Sequence, residues 1–159
     1  MSHAAMTLRP FYAGWERYQG LLTEALAPLS AEHLALRAAP ALRPVGELAA
    51  HIIAARVYWF HRVLGEGDVA LAPLQAWGTP GQPPRTAAEL VQGLAQTWRL
   101  LDDCLGRWTP ADLAATAVTR RGNTVTRGWV IWHVVEHDLH HGGELFLTLG
   151  MHGLPTPDL

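Results

Sequence analysis

The chain has 159 residues, 49% hydrophobic and 16% charged, about the size of one globular domain with a core of its own. Its formal net charge of −2 leaves no surplus of lysine and arginine to neutralise a phosphate backbone, which argues against nucleic acid as a partner. Cys104 is the single cysteine, so no internal disulfide forms, and its expected role is a small buried apolar group rather than a catalytic thiol.

The opening stretch MSHAAMTLRPFY lacks a basic segment followed by an apolar run. No uncharged stretch approaches the ~20 residues that span a bilayer, so the expected location is the cytoplasm, away from membranes. Helical periodicity then recurs four times between Pro- and Gly-rich breaks, without strand alternation of comparable length. The first helix is expected from Pro10 to Pro28, with Trp15, Tyr18, Leu22 and Leu26 near one face. After the loop LSAEHLALRAAPALRP, Pro44 presets a second helix whose Leu48, Ile52, Ala55 and Trp59 form a stripe, with Gly65 as its C-cap and His51 beside the stripe. Gly65 to Arg85, with Pro73, Pro80, Pro83 and Pro84, has no period and is expected to be a long connection able to cover a pocket mouth. Thr86 and Glu89 form a capping box that opens a third helix to about Leu105. TPADL follows as a short helical turn and VTRRGNTVTR as a polar loop. Thr126 caps a fourth helix, Arg127 to Leu149, ended by Gly150. The expected architecture is all-α, a single domain over residues 1–159, with four helices packed as a bundle whose core is a usual place for metal sites.

The fourth helix carries WHVVEHDLHHGG, with His133, His137, His140 and His141. His137 and His141 lie one turn apart, about 6 Å along one face, where two imidazoles can converge on one ion. His133 shares that row, but about 12 Å of axis separates it from His141, too far for one ion to hold all three. His140 points away by roughly 100°. A third ligand must come from another helix, and His51 is the best placed, because an imidazole near a core needs a partner. The expected metal ligands are therefore His51, His137 and His141. His133 and Glu136 are candidates to stand behind them; Glu136, Asp138 and Glu144 otherwise solvate the helix face.

Two other metal motifs fit less well. His133-Val-Val-Glu136-His137 matches the H-x-x-E-H pattern of some zinc peptidases, but Glu144 lies about 10 Å beyond His137 on the same helix, and a small bundle is a poor host for an extended peptide. A di-iron site needs Glu-x-x-His pairs on two helices, and no glutamate here has histidine three residues later. Trp59, Trp129 and Trp132 are expected in the core, Arg56 and Arg62 on an exposed face, and His3, His33, His61 and His152 on the surface.

HVVEHDLHHGGELFLTLGMHGLPTPDL, together with the His51 helix after LRPVGELAAHI, resembles the DinB/YfiT-like family over most of the chain. That resemblance implies a four-helix bundle, often dimeric, holding a divalent ion through three histidines, which by position are His51, His137 and His141. Family members commonly carry Arg where this chain has Gly142, so an ion pair from that position is not expected here. Characterised relatives include S-transferases and isomerases that use bacillithiol, mycothiol or glutathione. Three imidazoles leave a coordination position free, the catalytic rather than the structural pattern. The implied activity is thiol S-transfer to a small-molecule electrophile, with zinc, nickel or iron as the ion. Hydrolysis by an activated water, or a non-enzymatic dimeric stress-sensing or ligand-sensing module, remain the alternatives.

Overall fold

The computed structural model describes residues 6–158. His3 lies outside them. The structure is mostly helical. A 3-10 turn, Arg9–Tyr12, takes up Pro10, and Tyr12 then leaves helical geometry (φ −115°, ψ 20°) before α1, Ala13–Leu26, begins. The buried residues of α1 are Trp15, Tyr18, Gln19, Leu22, Ala25 and Leu26, the spacing of a single helical face. The following loop contains one short helix, α2, Ala31–Leu34, capped by Ser30 and His33.

Helix α3, Val45–Arg56, is buried around almost its whole circumference, from Val45 through Ile52 and Ile53 to Arg56, and so forms the centre of the structure. It runs on into a π-helical stretch, Val57–Val63, that ends at Gly65 in the left-handed region (φ 73°). The segment expected to be a structureless connection is ordered differently. Val69–Gly78 is a 3-10 run, capped by the Asp68 carboxylate accepting from the Ala70 N–H at 2.7 Å. It lies flat on α3: Leu74 is buried, and a Cβ at Gly78 would come within 2.8 Å of the Ala54 methyl. A threefold repeat interrupted by Pro73 does not register as helical periodicity in the sequence.

Helix α4, Ala87–Arg107, opens with the expected capping box: the Glu89 N–H donates to Thr86 Oγ1 (3.2 Å) and the Thr86 N–H to Glu89 Oε2 (2.8 Å). After the 3-10 turn Pro110–Ala114 comes a departure from the all-α expectation. Thr116–Val118 (β1) and Thr124–Thr126 (β2) pair antiparallel, Thr116 opposite Thr126, around a turn at Gly122 (φ 81°). Three residues a side are too few for alternation to be legible, although Thr and Val suit strands. Helix α5, Arg127–Met151, starts at the expected Thr126 cap and runs past Gly150; the glycine in the left-handed region beyond its end is Gly153 (φ 73°). Among the described residues no helix is long and apolar enough to cross a membrane.

Two apolar clusters fill the interior, one around Leu22, Ile53, Leu94 and Leu145, the other around Trp15, Phe60, Leu101 and Ile131. Along each of the four long helices a polar residue sits where one cluster gives way to the other: Gln19, Arg56, Thr97 and Asp138. Arg56 and Asp138, expected on solvated faces, are fully buried and paired, Arg56 Nε to Asp138 Oδ2 at 2.9 Å and Nη2 to the same oxygen at 2.8 Å. Arg56 Nη1 donates to Gln19 Oε1 (2.7 Å), and the Trp15 indole N–H donates to Asp138 Oδ2 (2.8 Å). Burial pushes the Asp138 carboxyl up, opposed by the guanidinium and then by the indole donor. The pairing spans 82 residues of sequence, so neither partner's neighbours announce it.

Candidate metal centre

Helices α3 and α5 pack side by side and face three imidazoles toward one another. The ring centroids form a nearly equilateral triangle: His51 to His137 4.7 Å, His51 to His141 4.7 Å, His137 to His141 4.5 Å. One nitrogen from each lies within 4.8 Å of the other two. His137 Nε2 and His51 Nε2 are 3.1 Å apart. Two nitrogens bound tetrahedrally to one zinc-sized ion at its usual bond length would be separated by about 3.3 Å, so the residues present fit a metal.

Electrostatics favour the same use. Burial, then the charges of Arg43 and His141, lowers His51 to about 4; burial, then the neighbouring histidines, lowers His137 to about 3. Both rings are therefore neutral at pH 7, with lone pairs available. The His141 ring is oriented by a hydrogen bond between its Nδ1 and Glu144 Oε2, 2.7 Å long, which leaves Nε2 without a partner among the described residues and available as a ligand. His137 Nδ1 is buried without a partner.

The residues expected behind the ligands divide. His133 stands 6.3 Å from His137, ring to ring, stacked on Trp129. Glu136 is half-exposed and meets only His133, at 3.4 Å. The carboxylate that touches the triangle is Glu144, one of the acids expected to solvate the helix face. Its signal was present in the sequence: His141 and Glu144 have the same i, i+3 spacing as His133 and Glu136, and the decisive difference is which histidine belongs to the triangle. His140 is exposed and shares Glu144 at 3.5 Å. His33 and His61 hydrogen-bond nearby backbone at Ser30 and Glu66, and His152 the carbonyl of Arg37 from the other end of the chain.

Gly142 follows the last histidine and packs directly on Tyr18. A Cβ there would overlap the Tyr18 hydroxyl and lie 2.9 Å from ring carbons, so an arginine cannot occupy this position while Tyr18 holds its place. The indoles also differ from expectation: Trp129 and Trp132 are exposed and Trp59 is half-buried, packed on Trp129 and His133. Trp77 instead lines, with His51 and residues 78–85, a cleft of about 520 Å³. The last part of the segment expected as a long connection thus lines a cleft. Cys104 lies away from this cleft, fully buried, its thiol pushed up to about 12 by burial and then by Glu66.

The sequence profile of the DinB superfamily matches residues 14–145. The chain belongs to the DinB superfamily. Solved DinB-like structures share its fold: one from Bacillus cereus is 21% identical, with TM-score 0.75 over 98% of this chain and 99% of the other. Another, from Bacillus subtilis, is 18% identical, with TM-score 0.68 over 94% and 96%. A mycothiol-dependent maleylpyruvate isomerase is 13% identical, with TM-score 0.56; the match covers 88% of this DinB-superfamily chain and 61% of the isomerase. No curated protein matches the sequence.

Proposed function

We propose that His51, His137 and His141 hold one divalent cation, zinc, nickel or iron, and that the protein is an enzyme of thiol S-transfer acting on a small electrophile. The observation that carries this is the convergence of three imidazoles from two helices, two of them, His51 and His137, kept neutral by burial, and one of them, His51, lining an open cleft. Three protein donors leave room for a further ligand, the catalytic pattern. A bound divalent ion supplies the positive charge that keeps a thiol ionised at neutral pH.

The chain's own groups do the rest. His51 and His137 offer lone pairs because burial keeps them unprotonated. Glu144 fixes which His141 nitrogen is free. The cleft lined by His51 and residues 77–85 admits a small molecule and excludes a folded partner. Cys104 supplies no nucleophile, being buried and held protonated, so the thiol comes from solution. The reading takes the four long helices as one bundle and one domain, and the family resemblance supports a cytoplasmic homodimer.

Elemental analysis of the untagged protein beside His137→Ala tests the centre. About one divalent ion per chain, lost in the variant, is expected, followed by electrophile consumption dependent on glutathione, bacillithiol or mycothiol. A wild type that takes up no ion from Zn²⁺ or Ni²⁺ overturns the reading. Bound metal without turnover for any thiol leaves the non-enzymatic sensing role.

A further inference from the structure

The cleft beside His51 carries three arginines, Arg37, Arg43 and Arg85, against one carboxylate, Glu47. Two of the three are held. Arg37 reaches the Leu42 carbonyl and lies 4.0 Å from Glu47. Arg85 pairs with Glu89 at 3.6 Å and lays its guanidinium 4.6 Å from the centre of the Trp77 ring. Arg43 is exposed, has neither an ion-pair nor a hydrogen-bond partner among the described residues, and lines the same cleft as His51. An arginine free of partners on the wall of a cleft that His51 also lines is a cation waiting for a counter-charge.

The backbone adds to it. Pro44 and Gly46 line the same cleft at the start of α3, a 12-residue helix without a side-chain cap, whose first N–H donates to the Leu36 carbonyl at 3.0 Å, so the helix end adds positive potential on that side. The remaining wall is mainly apolar, with Leu34, Ala50 and Trp77, and carries Thr79 and Gln82 as its uncharged polar groups. The balance of charge selects among anions. One unpaired guanidinium matches one carboxylate, which arginine can grip with two parallel hydrogen bonds, while the second charge of a phosphate monoester finds Arg37 and Arg85 already engaged by Glu47 and Glu89.

We propose that this cleft binds the carboxylate of a small organic acid, with Arg43 reading the charge and Trp77 bedding the apolar body. The inference deepens the metal-centre reading and rests on it for the cleft's purpose: a molecule held by Arg43 presents its other end to His51. On this assignment the substrate or thiol taken up by the protein is a carboxylate-bearing one.

The test uses phenylacetate, its neutral isostere phenylacetamide and phenyl phosphate, titrated into chelator-stripped protein and into His137→Ala. The readout is the NMR shift of the Trp77 indole N–H, assigned with Trp77→Phe. Phenylacetate is expected to saturate that shift, phenylacetamide to bind at least about tenfold more weakly, and Arg43→Gln to weaken phenylacetate by about tenfold or more in both backgrounds, the loss of one charge-assisted hydrogen bond. Arg43 is exposed, so its replacement leaves the fold intact. Equal binding of the amide, unchanged affinity in Arg43→Gln, tighter binding of phenyl phosphate, or no shift at tens of millimolar phenylacetate would each overturn the proposal. Metal content is read separately, so a protein that binds phenylacetate through Arg43 but takes up no ion refutes the metal centre and leaves the carboxylate site standing.

Discussion

Removing the carboxylate of Asp138 leaves the Arg56 guanidinium charged, fully buried and without its counter-ion. Breaking a buried pair from one side costs about 3–5 kcal/mol, because the surviving charge has neither water nor partner. For a chain of this length each kcal/mol lowers Tm by about 2–4 °C, so Asp138→Ala should melt about 6–20 °C below wild type. Arg56→Met should cost a comparable amount, since it strands Asp138 together with Gln19 Oε1. The double replacement Arg56→Met, Asp138→Leu behaves differently. It removes both charges and leaves chiefly Gln19 Oε1 and the Trp15 N–H without their former partners, at about 1–3 kcal/mol each at most. Thr97 keeps its bond to the Gly93 carbonyl at 2.8 Å, and replacing a buried pair by well-packed apolar groups is often neutral. The double variant should therefore be more stable than the sum of the singles by about 3 kcal/mol or more. Urea unfolding of the four proteins, with equal slopes, measures this. Additive singles, or an Asp138→Ala cost below about 1 kcal/mol, would refute the claim that the four helices meet at a buried charge pair.

The centre and its surroundings make further predictions. In the metal-free protein His51 and His137 titrate near 4 and near 3, below the ordinary histidine value of 6.5, so the unfolded chain binds their protons first. Their contribution is complete above about pH 6.5 and is lost as pH falls toward 4; the urea midpoint should fall over that window, and less so in His137→Ala. A flat midpoint in wild type would show that these rings are not buried neutral. Glu144→Gln should weaken metal binding about 10-fold to 100-fold in competition with a chelator, whereas Glu136→Gln should not change it. Gly142→Ala should gain about 1 kcal/mol of helix propensity but lose about 1–3 kcal/mol to the clash with Tyr18, a net loss that Tyr18→Leu relieves in the double variant. Cys104 should react with iodoacetamide only after unfolding; rapid labelling of the native protein would contradict its burial.

What could be read in advance followed from how local each cause is. The Thr86–Glu89 box, the Thr126 cap and the left-handed Gly65 act within a few residues, and each stands where the sequence places it. The gathering of His137 and His141 needs only the helical repeat. His51 needed the further inference that an imidazole beside an apolar stripe seeks a partner, and the structure brings it to the other two. The Val69–Gly78 run was hidden because its repeat is three and contains a proline, and the hairpin because it is three residues wide. Arg56, Asp138 and Glu144 were misplaced for one shared reason. A charged residue on a helix reads as solvated unless its partner is known, and for Arg56 and Asp138 that partner comes from another helix.

The misplaced pair bears on the centre itself. Asp138 is the residue after His137, so their side chains leave α5 about 100° apart, one toward Arg56 in the core and the other toward His51. Arg56 lies five residues after His51 on α3, so two contacts between the same two helices, one buried charge pair and one imidazole pair, are set by a single relative rotation and height. Sliding α5 by one turn, about 5.4 Å, would both strand the charges and pull His137 away from His51. Loss of the pair should therefore register at the histidines before the fold is lost. Asp138→Asn keeps the shape and removes the charge, and at a temperature where it remains folded it should bind metal more weakly than wild type, while a surface change such as Glu136→Gln should not. Unaltered metal affinity in folded Asp138→Asn would mean that the triangle is held by the packing of α3 on α5 alone.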